Sequence, residues 1–256
     1  MIVDTSVYLS RWPFRRLRGD EPAQLVALLQ KGGVAEAWAG SFDGLLHKDI
    51  SAVNVRLAAD CRDHGKGFLL PFGTVNPKLP DWKEDLRRCH EVHRMPGIRL
   101  HPNYHGYDLK DPVAAQLLED AAARGLVVQL AWCMEDERTQ HPLLRVPNVD
   151  LAPLPGLLSR LPKLRLVILN WRSPAGDAAR RLADAGQVYF DFAMLEGAGG
   201  LERLRQAVPP ERIVFGSYFP FYSFASSALK VRESALSEEE RQAFLAGNAR
   251  RLIQKT

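Results

Sequence analysis

Short apolar runs alternate along the chain with segments of helical periodicity. A continuous apolar run predicts a strand covered on both faces, as in a parallel sheet. The last run ends abruptly at Gly216 and Ser217 before Pro220, which predicts a strand that opens into a shaped loop. The predicted strands are Ile2–Tyr8, Val34–Ala39, Phe68–Val75, Gly97–His101, Leu126–Trp132, Leu164–Leu169, Val188–Phe192 and Ile213–Phe215.

The segments between these runs carry helix signals. In Glu21–Lys31 the leucines recur at helical spacing, and two glycines follow as a stop. Ser237 and Glu240 form a capping-box pattern at the start of the last helix. The remaining predicted helices are Asp49–His64, Trp82–His93, Asp111–Arg124, Leu154–Leu161, Ala175–Ala185, Leu201–Ala207 and Ser237–Ile253.

Alternating strands and helices are typical of right-handed βα units, and eight such units close into a barrel. We therefore predict one α/β domain over residues 1–256, a single (β/α)₈ TIM barrel. A doubly wound open sheet is the alternative. It is the weaker one, because no glycine-rich phosphate fingerprint follows the first strand.

Composition narrows the partners. The hydrophobic fraction of 46% is ample for a large core, and 34 basic residues against 30 acidic ones are spread along the chain. That balance argues against nucleic acid as a partner and at most favours small anions. Three separated cysteines without a CxxC pair, no apolar span and no leader pattern predict a cytoplasmic protein without a membrane partner. A homo-oligomer is left open.

Polar residues cluster at the predicted carboxyl ends of the strands, where barrels carry their active sites. An arginine-rich loop, Ser10–Asp20, follows the first strand; it either grips a carboxylate or phosphate or is a solvated loop packed by its two aromatic residues. The strand-end candidates are Asp4, Ser6, Tyr8, Arg99, His101, His105, Gln129, Ala131, Glu135, Asp136, Asn170, Trp171, Asp191, Ser217 and Tyr218.

Five segments in order resemble the amidohydrolase-related (amidohydrolase type 2) family of metal-dependent hydrolases and decarboxylases. They are Val3–Asp4, Gly97–Pro102 (GIRLHP), Leu166–Trp171 (LVILNW), Arg212–Pro220 (RIVFGSYFP) and Gly247–Leu252 (GNARRL). The resemblance covers nearly the whole chain. It implies the barrel of that family and a site at its strand ends.

The residues that the resemblance would assign to the family metal are mostly neutral here. The family pattern continues from aspartate to His-x-His, but Asp4 is followed by Thr5, Ser6, Val7 and Tyr8. The expected histidines of the fifth and sixth strands fall on Gln129 or Ala131 and on Asn170, and the expected aspartate of the eighth falls on Tyr218. Such side chains are poor ligands, so we expect no catalytic metal and no cofactor. A displaced metal on His101, His105, Glu135, Asp136 and Asp191 is the alternative.

Two classes of function follow. The first is a hydrolase or lyase for an anionic, cyclic carboxylate or lactone, with a lost or displaced metal. Its predicted catalytic residues are His101, Asp191, Asp4 and Tyr218, and its predicted substrate contacts are Arg99, Asn170, Trp171, Gln129, Glu135 and Tyr8. The second is a catalytically silent barrel that binds a ligand or protein. An open mouth with His101 and a carboxylate converging favours the first class, and Tyr8 packed on Tyr218 favours the second.

Overall fold

The computed structural model describes residues 1–172 and 176–254, and it shows eight parallel strands in the order β1 to β8. Helices connect the strands and cover the outside, so the predicted (β/α)₈ barrel is confirmed. The strands are β1 (Ile2–Leu9), β2 (Val34–Ser41), β3 (Leu69–Thr74), β4 (Gly97–Leu100), β5 (Val127–Ala131), β6 (Arg165–Leu169), β7 (Gln187–Asp191) and β8 (Ile213–Val214). The helices are α1 (Pro22–Lys31), α2 (Ile50–Asp60), α3 (Trp82–Arg87), α4 (Pro112–Ala123), α5 (Leu154–Leu158), α6 (Gly176–Ala185), α7 (Gly200–Ala207), α8 (Phe224–Glu233), α9 (Glu238–Gln242) and α10 (Asn248–Ile253).

The barrel closes between β1 and the chain that follows β8. The Thr5 amide donates to the Phe215 carbonyl at 2.9 Å, and the Tyr8 amide donates to the Phe219 carbonyl at 2.9 Å. This second contact continues the barrel wall beyond the short ladder of β8. The loop after β8 is thereby fixed beside the carboxyl end of β1.

Two apolar layers stabilise the barrel. One lies between the strands and the helices, where residues such as Leu25 and Leu117 are fully buried. The other fills the amino-terminal half of the barrel interior, where Trp38 stacks on Phe72 at 4.9 Å, and α10 covers it from below through Ala249. Burial of this apolar surface is the main favourable contribution to folding. The buried polar residues Asp4, His101 and Asp191 lie towards the carboxyl end of the barrel interior.

The predicted last helix is present from Glu238 to Ile253, but it widens into a π-type turn in its middle. The capping box is present, since Ser237 and Glu240 exchange hydrogen bonds, but a π-type turn over Ala243–Gly247 separates α9 from α10. Within it the Phe244 carbonyl accepts the Phe215 amide at 3.0 Å. The same contact explains why β8 ends at Val214 and not at the predicted Phe215.

Other boundaries differ by a few residues. Similar π-type turns end the predicted second and third helices, after α2 and α3. Helix α8 was not predicted, because its serine-rich start gives little helical periodicity. Of the predicted helix Ala175–Ala185, Ala175 lies outside the described residues. In the described part of the chain, no helix is long and apolar enough to cross a membrane.

Candidate active site

The predicted strand-end residues do meet at the carboxyl end of the barrel, and nearly all of them are buried. Parallel strands end at the same rim, so residues far apart in sequence come together there. At most 3% of the surface of each is exposed for Asp4, Ser6, Tyr8, Arg99, His101, Gln129, Glu135, Asn170, Trp171, Asp191, Ser217 and Tyr218. The environment of these groups is therefore one of low dielectric constant.

Arg99 lies inside the barrel and is fully buried. Its Nη1 donates to the Val7 carbonyl at 2.7 Å, and its Nε donates to Gln129 Oε1 at 2.8 Å. Its Nη2 donates to two further carbonyls, those of Thr5 and Trp38. The guanidinium also lies 4.3 Å from the Tyr8 ring centroid. These bonds join β1, β2, β4 and β5, so Arg99 and Gln129 hold the barrel together below the mouth.

Asp4 accepts hydrogen bonds from the start of the loop after β8. Its Oδ2 accepts the Ser217 hydroxyl at 2.5 Å, and its Oδ1 accepts the amides of Ser217 at 3.0 Å and Ser6 at 3.1 Å. Burial raises the pKa of Asp4 to about 7, and these hydrogen bonds only partly oppose the shift. Asp4 is therefore a carboxyl group that changes charge near neutral pH.

Asp191 is the last residue of β7 and, like Asp4, is fully buried at the carboxyl end of the barrel. Its Oδ1 accepts the Asn170 amide at 2.8 Å and the Ala193 amide at 3.3 Å, and burial raises its pKa to about 6. Asn170 Nδ2 donates to the Cys133 carbonyl at 2.7 Å. Asp191 Oδ2 and Asn170 Oδ1 are both buried without a hydrogen-bond partner in the described part of the protein.

His101 and Tyr8 form a polar pair above Arg99. The Tyr8 hydroxyl lies 3.1 Å from His101 Nε2, and His101 Nδ1 is buried without a partner among the described residues. Burial, assisted by the neighbouring His105 and Arg99, holds the pKa of His101 well below its usual range, so the imidazole is neutral at pH 7. Burial raises the pKa of Tyr8 to about 12. His101 lines a cavity of about 10 Å³, close to the volume that one water needs.

Five aromatic side chains cover these polar groups and are here called the aromatic plug: Tyr8, Trp12, Phe42, Tyr218 and Phe221. Tyr8 stacks on Phe42 at 4.6 Å and meets Tyr218 edge-on at 5.4 Å between ring centroids. Phe221 stacks on Tyr218 at 4.9 Å and meets Trp12 at 4.9 Å. The Tyr218 hydroxyl donates to the Met134 carbonyl at 2.8 Å. The mouth is thus closed in this conformation.

An outer layer joins the loop after β1 to the loop after β5. Arg15 Nη1 lies 3.1 Å from Glu135 Oε1, and the Arg15 guanidinium lies over the Phe221 ring at 4.8 Å. Phe14 stacks on His141 at 5.2 Å. Arg11 pairs with Glu21 at the surface, and Arg16 pairs with the buried carboxylate of Asp20 within the same loop. Arg15 is therefore the arginine of the loop that contacts the mouth.

The donor atoms at the family metal position do not fit a divalent transition metal. Both Asp4 oxygens already accept hydrogen bonds, and the other positions carry neutral side chains that are poor ligands. Over residues 1–172 and 176–254, no three His, Cys, Asp or Glu side chains lie close enough to hold an ion. The carboxylates of the alternative metal site, which was predicted with His101 and His105, are engaged elsewhere. Glu135 pairs with Arg15, and Asp136 pairs with Arg138 and Arg172. His105 Nε2 contacts the Gly44 carbonyl at 2.8 Å.

Trp171 belongs to the wall of the barrel. Trp171 is 2% exposed and packs against Trp132 and Phe190, at ring distances of 5.0 and 5.2 Å. The structure places it in the wall and not in an open pocket. Sequence reasoning missed Phe42 and Met134, which complete the cover. Phe42 directly follows the observed end of β2 at Ser41, whereas the predicted strand ended at Ala39.

Comparisons with known proteins agree with this architecture. A family model described as Amidohydrolase matches residues 8–254. A search of curated proteins found no match. The structure of 2,6-dihydroxybenzoate decarboxylase from Rhizobium shares 15% identity, with 98% of each chain covered and a TM-score of 0.76. The structure of 5-carboxyvanillate decarboxylase from Sphingomonas paucimobilis shares 13% identity, with 100% of this chain and 99% of that chain covered and a TM-score of 0.75.

A third solved structure contains a metal. Dihydroxybenzoic acid decarboxylase from Polaromonas sp. JS666, solved with bound manganese and 2-nitroresorcinol, shares 13% identity, with 98% of this chain and 96% of that chain covered and a TM-score of 0.76. At such identities the likeness concerns the fold.

Proposed function

This chain belongs to the amidohydrolase family, and from that membership we propose that it is a hydrolase or lyase for an anionic, cyclic carboxylate or lactone, working without a metal at the family position. One observation carries the proposal. Two polar atoms at the strand ends of the described barrel, His101 Nδ1 and Asn170 Oδ1, are buried without a hydrogen-bond partner. An unpaired buried polar group is costly, and a functional site is one place where such a group is kept.

Backbone strain at the same rim supports the proposal. Ser10, Asn170 and Tyr218 have positive φ angles of 63°, 61° and 55°, and they follow β1, β6 and β8. For residues other than glycine this conformation costs roughly 1 kcal/mol or more each. Strain of this kind clusters at functional sites, because it fixes side chains in directions that an unstrained backbone would not give.

His101 is the proposed proton-transfer group. In the tautomer whose Nε2–H donates to the Tyr8 oxygen, Nδ1 of the neutral imidazole is a free base. In a hydrolase this nitrogen would take the proton from the attacking water. In a decarboxylase the carbon that loses carbon dioxide would take its proton from the protonated carboxyl group of Asp4 or Asp191, and that group would regain a proton from solvent. Asp191 and Asp4, which titrate near pH 6 and pH 7, are the proposed second acid or base.

The proposed substrate contacts are uncharged hydrogen-bond groups above Arg99. Burial keeps the pKa values of the Tyr8 and Tyr218 hydroxyls high, so both remain donors to a carboxylate oxygen at neutral pH. Asn170 would contact the substrate from β6, and Glu135 would border the entrance. The proposed role of Arg99, Gln129 and Trp171 is to position these substrate contacts. Arg99 also supplies positive charge beneath Tyr8. The benzoate and vanillate substrates in the names of similar structures support an aromatic carboxylate.

The test uses purified protein, a panel of hydroxylated aromatic carboxylates and lactones, and chromatographic detection of product with chelator present. We expect conversion of at least one compound, reduced about 100-fold or more by His101→Gln, because a lost acid or base typically costs that much. His47→Gln, at an exposed histidine, is the matched control. Conversion by His101→Gln at the wild-type rate would contradict the proposed role of His101.

A second function is favoured by the aromatic plug. Tyr8 packed on Tyr218 closes the mouth, as expected of a catalytically silent barrel that binds a ligand or protein elsewhere. Hydrogen exchange distinguishes the two. An enzyme must open to admit substrate, so amides of the loop after β8 would exchange through frequent local opening. Exchange there only by global unfolding, together with no turnover, would favour the silent barrel.

A further inference from the structure

A cavity of about 540 Å³ opens at the end of the barrel opposite the candidate active site. It lies among the segments that lead into β4, β5 and β6, and α10 contributes Ile253 to its wall. This end of a TIM barrel ordinarily serves stability. This cavity has no role in the proposed hydrolase or lyase reaction.

Three arginines line the cavity: Arg94, Arg124 and Arg165. Arg165 is partly buried; its Nη1 donates to the Leu252 carbonyl at 2.6 Å, and its Nη2 donates to the Gly125 carbonyl. Arg124 Nη1 donates to the Asp120 carbonyl at 2.9 Å. All of these acceptors are neutral carbonyls, so the contacts position the side chains and leave their charges uncompensated.

The cavity contains little opposing charge. In the described ranges 1–172 and 176–254, none of the three arginines forms a salt bridge with a carboxylate. Glu91 also lines the cavity, but its Oε2 accepts a hydrogen bond from Arg87 Nη1 at 2.8 Å. Burial lowers the pKa of Arg165, as expected for a cation partly removed from water without a counterion.

We propose that this cavity binds a small anion with two or more negative charges, of the phosphate or carboxylate class. Guanidinium groups bind the oxygens of both classes in paired hydrogen bonds. Such an anion would neutralise arginines that otherwise repel one another. The volume lies in the range of small-molecule sites. The site is distinct from the strand-end residues around His101 and does not depend on their reaction.

Isothermal titration calorimetry of the full chain with inorganic pyrophosphate and, separately, with citrate tests the proposal. Saturable binding at one site per chain is expected for at least one of the two, and the comparison identifies the class. Arg94→Asn and Arg124→Gln should each weaken binding about tenfold or more, since hydrogen bonds to charged groups contribute that much. Asparagine suits Arg94, whose φ is 52°, because it tolerates left-handed backbone.

Lys66→Asn is the matched control. Lys66 is exposed, has a φ of 48° and lies outside the cavity, so the control removes the same charge from the same kind of backbone. Its affinity should equal that of the unaltered protein. An equal loss in Lys66→Asn and Arg94→Asn, or no saturable binding of either anion, would overturn the proposal. If Arg124→Gln does not fold, Arg94→Asn alone decides, because Arg94 is exposed.

Discussion

Arg99 is the residue on which the interior of the barrel mouth most depends. It is a fully buried cation whose guanidinium binds the carbonyls of Val7, Thr5 and Trp38 and the side chain of Gln129. These acceptors lose water on folding and recover hydrogen bonds from Arg99, and the Thr5 carbonyl also accepts one from Gln129 Nε2 at 2.7 Å. The charge of Arg99 is thereby spread over four neutral dipoles, and no carboxylate among residues 1–172 and 176–254 forms an ion pair with it.

Replacing Arg99 by methionine should destabilise the protein strongly. The substitution leaves buried carbonyls unsatisfied, so we expect a loss of about 3 kcal/mol or more in the free energy of unfolding. Urea denaturation followed by circular dichroism measures it. Arg160→Met, at an exposed arginine, should cost less than about 1 kcal/mol. Equal midpoints for the two variants would contradict the structural role of Arg99.

Asp4 should make stability fall as pH rises. Its pKa is about 7 in the folded protein against 3.8 ordinarily, so the folded state binds its proton more tightly. The stabilisation is complete below the unfolded pKa and is lost as pH rises through the folded one. Unfolding free energies measured from pH 4 to pH 8 should therefore decline less in Asp4→Asn than in the wild type. The same slope in both proteins would contradict the shift.

The sequence was a good guide to which residues lie at the rim of the barrel. It was a poor guide to the hydrogen-bond partners of those residues. Asp4, His101 and Asp191 follow from the rule that barrel sites lie at strand ends. The bond from Ser217 to Asp4 joins residues 213 positions apart, and no local pattern encodes it. For the same reason Arg99 was expected to reach a substrate, whereas the structure encloses it among carbonyls of neighbouring strands.

At the scale of elements, the mouth is covered by the segments after β1, β2, β5 and β8. Their contacts are aromatic stacking in the plug and the ion pair between Arg15 and Glu135. The Arg15 side chain is 48% exposed and the Glu135 side chain 4%, so water screens this pair from the arginine side only. The pair connects two loops, and its loss should affect local opening more than global unfolding.

Arg15→Gln should increase hydrogen exchange in residues 134–148 without a large change in the unfolding midpoint. The variant removes the partner of buried Glu135 and the cation over Phe221. Exchange read by mass spectrometry of peptides checks this. Arg11→Gln is the matched control, because it breaks an exposed pair in the same loop. If both variants exchange alike in that segment, the pair does not hold the two loops together.

Helices and strands were predicted well where the signal lies in neighbouring residues. They were predicted poorly where a contact between distant residues determines the local structure. The capping box at Ser237 was correct because both of its partners lie within four residues. The π-type turn over Ala243–Gly247 follows from the contact of Phe244 with the end of β8. The helical periodicity of the sequence carries no information about that contact. Helix α8 lacks a clear apolar stripe and was missed.

For the whole molecule, eight apolar runs at regular intervals were enough to predict the barrel. The motifs that resemble amidohydrolases agree with the family match over residues 8–254. The treatment of residues 1–256 as one domain stays a prediction. The closed mouth could not be predicted, because it depends on aromatic contacts between three loops.

We propose that neutral, hydrogen-bonded side chains stand at the rim positions where the family's metal ligands are expected. Elemental analysis of protein purified without chelator tests it most directly. The account predicts zinc and manganese contents far below one ion per chain, unchanged in Asp4→Asn. A near-stoichiometric content of either metal in the wild type, lost in Asp4→Asn, would contradict it.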